Sequence, residues 1–81
     1  MSNTTKIAVI AILIEDVSVS DKVNSLLHQY GDKIVGRMGI PYREKDVNII
    51  SVVMDASMDD INSLSGGLGR IPKVRVKVLS A

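Results

Sequence analysis

IAVIAILI, residues 7 to 14, is eight apolar residues in an unbroken run, and its reading decides the fold. A half-buried strand alternates apolar and polar side chains. An uninterrupted run of this length instead predicts a strand buried on both faces, at the centre of a sheet. The run is too short for a bilayer, which takes roughly 20 such residues. It follows Lys6 as a signal peptide can, but it ends in Glu15 and Asp16 with no small-residue cleavage pattern. A strand of a cytoplasmic protein is the expectation.

Upstream lie only the polar residues MSNTT. Downstream, EDVSVSD (15–21) reads as a loop and helix start. Ser18 with Asp21, or Ser20 alone, is expected to hold the free amides of the first turn. Val19, Val23, Leu26, Leu27 and Tyr30 recur at helical spacing and predict one buried helix face. Gly31 is expected to end that helix in the left-handed conformation. KIVGRMGI (33–40) reads as a second strand weakened by Gly36 and Gly39, and VNIISVVM (47–54) as a third. Ser57 and Asp60 predict a second N-cap, with Asp59 and Asp60 well placed against the helix dipole. Ile61, Leu64 and Leu68 mark a short helix, expected to stop at Gly66, Gly67 and Gly69 ahead of Pro72. VRVKV (74–78) alternates strictly, with Arg75 and Lys77 on one face, which suits an edge strand.

The order strand, helix, strand, strand, helix, strand predicts an α+β, ferredoxin-like βαββαβ domain spanning residues 1–81. Its four-stranded antiparallel sheet has the first and third strands in the centre and both helices on one face. The first strand offers Ala8, Ile10, Ile12 and Ile14 to one face and Ile7, Val9, Ala11 and Leu13 to the other. The face without helices therefore needs a cover. A second copy of the chain is the simplest one, so a homo-oligomer, dimer or tetramer, is expected.

Composition narrows the function. Ten Lys and Arg against nine Asp and Glu leave a formal charge of +1. Neither direct nucleic-acid binding nor anionic-membrane association is expected of that balance. The absence of Cys rules out disulfides, thiol chemistry and thiolate metal sites. His28 has no His or Cys near it in the sequence and falls off the buried helix face, so it reads as a surface side chain rather than a metal ligand. No Ser sits in a nucleophile motif. No catalytic machinery, cofactor or metal centre is expected. The glycines of GGLGR (66–70) follow a helix and precede a strand, the reverse of a phosphate-cradling loop.

Two stretches remain as candidate sites. Glu15 and Asp16 follow a central strand, where a carboxylate pair serves either a polar ligand or hard cation, or the helix start. GRMGIPYREKD (36–46) is longer than a tight hairpin needs, with Pro41 expected to fix a bend. It brings together three donors, Arg37, Tyr42 and Arg43. Gly36 and Gly39 permit a close approach. That set predicts either a site for a small anionic ligand, with Arg supplying the fork, or ion pairs across a subunit boundary.

YGDKIVGRMGIPYREKDVNIISVVMDA (30–56) resembles the centre of a small bacterial family labelled iron-only hydrogenase system regulators. IAVIAILIEDVSVSDKVNSLLHQYGD (7–32) and LSGGLGRIPKVRVKVLSA (64–81) fit the same family, and GRMGIPY is the most distinctive part. The resemblance implies an ACT-like fold, similar to the C-terminal regulatory domain of nickel-responsive repressors, and a regulatory role linked to hydrogenase maturation. ACT domains often bind amino acids at subunit interfaces near the first loop and helix, which points to the Glu15–Asp16 loop and the GRMGIPYRE hairpin. The nickel repressors bind metal through His and Cys, and His28 alone does not supply that set. Five residues before the first strand also leave no room for their ribbon-helix-helix DNA reader. The expectation is an oligomeric ACT-like regulatory module that binds a small ligand or a partner protein. A ligand-free structural adaptor and a direct DNA-binding repressor are the alternatives.

Overall fold

The computed structural model describes residues 4–81. The strands are β1 (Lys6–Ile14), β2 (Ile34–Tyr42), β3 (Val47–Ala56) and β4 (Val74–Ser80); the helices are α1 (Ser20–Gln29) and α2 (Met58–Gly69). Every strand pair is antiparallel and the sheet order is β2-β3-β1-β4. The two continuously apolar strands are central, and the alternating, cationic β4 is an edge. This is the ferredoxin-like arrangement.

The core forms where α1 and α2 cover one face of the sheet. On β1, Ala8, Ile10 and Ile14 are completely buried and Ile12 nearly so. Val52 and Met54 continue that layer on β3, and Val23, Leu27, Ile61, Leu64 and Leu68 press onto it from the helices. Full burial of each such aliphatic side chain contributes about 1.5–3 kcal/mol. With no Phe or Trp, the domain is held by many medium-sized contacts rather than a few large ones.

Several local devices differ from the sequence expectation. The first connection is held by Asp16, whose carboxylate accepts the Ser18 amide at 2.9 Å. It shapes a 3-10 turn over Val17–Val19 that leads directly into α1. Val19 caps α1 without a side-chain bond, so neither Ser18 nor Ser20 takes the expected capping role. At the other end of α1 the Tyr30 amide donates to Leu27 and a 3-10 turn follows at Gly31–Lys33. Gly31 is therefore not left-handed: no described glycine has positive φ. The second cap is as expected, with Ser57 Oγ accepting the Asp60 amide at 3.2 Å.

α2 runs through Gly66 and Gly67 and ends at Gly69, the last of the three glycines expected to stop it. Packing explains one of them. A Cβ on Gly67 would lie 2.9 Å from Leu26 Cδ2, so the bare backbone lets α1 and α2 approach. The chain turns later, at Lys73, with φ of 68° directly after Pro72.

The largest correction concerns the hairpin. The strand expected over residues 33–40 is present, but β2 runs two residues further, through Pro41 to Tyr42, so only the end of GRMGIPYREKD is a loop. The turn itself takes only Arg43–Asp46, closed by Asp46 in the left-handed region (φ 53°, ψ 42°), a conformation Asp tolerates better than most residues. Pro41 makes no bend: it sits within β2, opposite Asn48. A missing amide is tolerated there because β2 is an edge strand.

Candidate functional site

The register sorts every strand residue to a face. On the face without helices, Leu79, Val9, Val53 and Gly36 form one cross-strand row. Lys77, Ala11, Ser51 and Met38 form the next, and Arg75, Leu13, Ile49 and Ile40 the third. The face is largely aliphatic and open: Leu79 is 74% exposed, Met38 60%, Ile7 48% and Ile40 47%. Arg75 and Lys77 border it along β4. A hollow of about 560 Å³ lies over Ala11, Leu13, Ile49, Arg75 and Lys77.

The same register separates the three expected donors. Arg37 pairs with the buried Val52 and so emerges on the helix side, whereas Tyr42 pairs with Val47 five residues on and emerges on the open side. Arg37 Nη2 donates to Asn24 Oδ1 of α1 at 2.7 Å. The Tyr42 hydroxyl reaches Glu44 Oε2 at 3.5 Å. Arg43 opens the turn after β2. Arg37, Tyr42 and Arg43 are thus not one cluster. Gly36 falls on the open face and Gly39 on the helix side, and a Cβ on either would meet nothing within 4 Å. Nothing inside the chain requires glycine at these two positions.

The acidic pair is engaged locally. The Glu15 amide donates to the Lys73 carbonyl at 2.8 Å, and its carboxylate faces Arg75 Nε at 3.8 Å. At Asp16 the hydrogen bonds from Ser18 hold the carboxyl below its ordinary pKa, and the Lys73 charge acts in the same direction. The structure brings Glu15 and Asp16 to Arg75, Ser18 and Lys73, not to Arg37.

Beside Arg37 lies a cleft of about 250 Å³ between α1 and β2. Ser20, Asn24, Arg37, Gly39, Pro41 and Asn48 line it. It exists because the helices leave β2 uncovered: every β2 residue after Ile34 is exposed. Asn48 Nδ2 donates to Ser20 Oγ at 3.1 Å across the cleft floor, joining β3 to α1. Sequence reasoning missed Ser20, Asn24 and Asn48 as site residues. A signal was present in β3: Asn48 shares the parity of Ile50, Val52 and Met54, and a polar side chain on the covered parity of a strand needs a partner.

Among the described residues, no group of three or more His, Asp or Glu side chains is arranged to hold a metal ion. No described helix is long and apolar enough to cross a membrane.

Comparison with known proteins agrees with this architecture. TM1266 of Thermotoga maritima, described as an uncharacterized protein, superposes with a TM-score of 0.92 at 37% sequence identity; the match covers 95% of this chain and 98% of that one. A far more distant likeness is to LarC2, the C-terminal domain of a cyclometallase involved in the synthesis of the NPN cofactor of lactate racemase. It has a TM-score of 0.48 and 15% identity over 96% of this chain and 58% of that one, and it supports no functional argument. No curated protein matches the chain. Residues 6–78 match the family described as "TM1266-like: Iron-only hydrogenase system regulator, putative". With nearly the whole chain matched, and with the GRMGIPY segment forming its edge strand, this protein belongs to the TM1266-like family of iron-only hydrogenase system regulators.

Proposed function

We propose that the chain is a non-catalytic cytoplasmic regulatory module that assembles with copies of itself through the open face of its sheet and responds to a small ligand or a partner protein. The observation that carries this reading is the face itself. Ile7, Val9, Met38, Ile40, Ile49 and Leu79 are exposed together on one side of a four-stranded sheet. Scattered apolar residues on a surface are ordinary, but a contiguous sheet of them is the signature of an interface.

The area is adequate. Four strands about 4.8 Å apart, each contributing roughly seven residues of about 3.3 Å, give a face of about 450 Å² in projection. Two such faces in contact remove roughly 900 Å² from water before side-chain relief is counted, close to the ~1,000 Å² of a specific interface. Arg75 and Lys77 at one edge and Asp55, opposite Ile7, supply a charged rim of both signs, which sets register more than affinity. The family's description as a regulator supports the non-catalytic role.

Native mass spectrometry of freshly purified protein tests the assembly. A dimer or tetramer is the expected mass, and Val9→Glu, which sets a charge in the middle of the face, should reduce it to a monomer of unchanged circular dichroism. A wild-type monomer at tens of micromolar overturns the reading.

A further inference from the structure

The cleft between α1 and β2 carries an inference that rests on the ligand-binding part of the function proposed above. We propose that it binds a small organic carboxylate, gripped by Arg37 and oriented by Asn24, Asn48 and Ser20.

Arg37 is the cation of the site, and a neutral group holds it. Its Nη2 donates to the Asn24 side-chain carbonyl at 2.7 Å. The two ion pairs of the described residues, Lys33–Asp60 and Arg75–Glu15, do not involve it. The amide fixes the guanidinium in place while leaving its charge uncompensated and most of its donors unused. A planar guanidinium so placed matches the two oxygens of a carboxylate. No acid lines the cleft and no second cation does. This favours a monoanion over a doubly charged phosphate, which gains most from several cations.

The rest of the cleft suits the body of such a ligand. Ile14 and Ile50 form an apolar floor, and Gly39 keeps the strand side bare: a Cβ there would project into empty space. Asn48 spends its amide nitrogen on Ser20 Oγ, which leaves the Asn48 carbonyl as an acceptor and the Ser20 hydroxyl as a donor. Pockets for small molecules are commonly apolar with a few such placed polar groups. Here those groups come from α1, β2 and β3, so the site is set by the fold rather than by a loop.

The test uses the full chain labelled with nitrogen-15. Acetate, butyrate and inorganic phosphate are each titrated at constant ionic strength while amide shifts are followed. Butyrate should give saturable shifts at Asn24, Arg37, Gly39 and the side-chain amides of Asn24 and Asn48, and should bind several-fold tighter than acetate because its methylenes reach the apolar floor. Arg37→Gln should weaken binding tenfold or more. Gly39→Val should do the same by filling the cleft, with a melting temperature no lower than the wild type because a β-branched residue suits a strand. Arg43→Gln should bind normally. Shifts that fail to saturate, or that survive both cleft variants, overturn the proposal. So does phosphate displacing butyrate at the lower concentration. Light scattering on the same samples separates this proposal from self-assembly. A monomer that binds butyrate defeats the assembly and keeps the cleft; an oligomer without saturable shifts does the reverse.

Discussion

Val9 and Ile10 are neighbours in β1 and differ by one methylene, yet Ile10 is completely buried under the helices while Val9 is 37% exposed on the other side of the sheet. The same split runs along the whole strand. Ala8, Ile10, Ile12 and Ile14 form the core, while Ile7, Val9 and Ala11 face outward and Leu13 is only partly covered. Hydrophobicity is nearly equal on the two sides. The difference comes from α1 and α2 crossing on one side only, and the lesson is that an apolar strand face records a need for cover without saying what provides it. One face is covered by the chain's own helices. The other is the reason to look for a second molecule.

The sharpest way to break this comparison is to truncate both neighbours. Ile10→Ala removes a fully buried side chain and should cost about 2–5 kcal/mol in urea unfolding. Val9→Ala, measured in dilute solution where any assembly has come apart, should cost less than about 1 kcal/mol, the range of a partly exposed site. Equal losses would mean that the open face is as tightly packed as the core even in the monomer.

A smaller effect probes the helices that make the first face different. Gly66 and Gly67 are adjacent in α2, but a Cβ on Gly66 meets only Arg70 Nη2 at an ordinary 3.8 Å, whereas one on Gly67 meets Leu26 at 2.9 Å. Gly66→Ala should therefore stabilise by about 0.5–1 kcal/mol through helix propensity. Gly67→Ala should gain clearly less, because the end of Leu26 has to turn away. Thermal unfolding of the pair reads the difference directly, and identical gains would show that the helices are not in close approach at this point.

The smallest effect belongs to Asp16, which starts the turn carrying the chain from β1 onto the covered side. Its folded pKa is depressed, so its contribution is present above the unfolded carboxyl pKa and is lost as pH falls through the folded one. Asp16→Asn should flatten that part of the acid limb of stability. An NMR titration of wild-type Asp16 should give a midpoint below that of an exposed model carboxyl. A midpoint at or above that of an exposed carboxyl would remove the Ser18 bond as its cause.

The fold was legible because its signals are local and repeat. Unbroken apolarity in IAVIAILI, helical spacing from Val19 to Tyr30, the Ser57 cap and the alternation of VRVKV each reflect a chain segment meeting its own periodicity. The misreadings arose where a neighbour decided the outcome. Pro41 looks like a bend in isolation, yet pairing with β3 carries the strand expected to end at Ile40 on through Pro41 to Tyr42, and an edge position tolerates the missing amide. Gly67 looks like a helix stop, but the proximity of Leu26 makes it a contact. The candidate site was half legible for the same reason. Arg37 stands out by its glycine flanks, but its partner Asn24 lies 13 residues away and across an element boundary.

By itself, the sequence determined which segments are strands and helices, which strands are central, and that more apolar surface exists than two helices can cover. These follow from side-chain chemistry at periods of two and 3.6 residues. Tertiary structure alone decided which side of the sheet the helices took, that Arg37 and Tyr42 point to opposite faces, and that Ser20, Asn24 and Asn48 converge on the Arg37 cleft. Strand pairing fixes parity, and a one-residue difference in parity sends a side chain through the sheet to the other side.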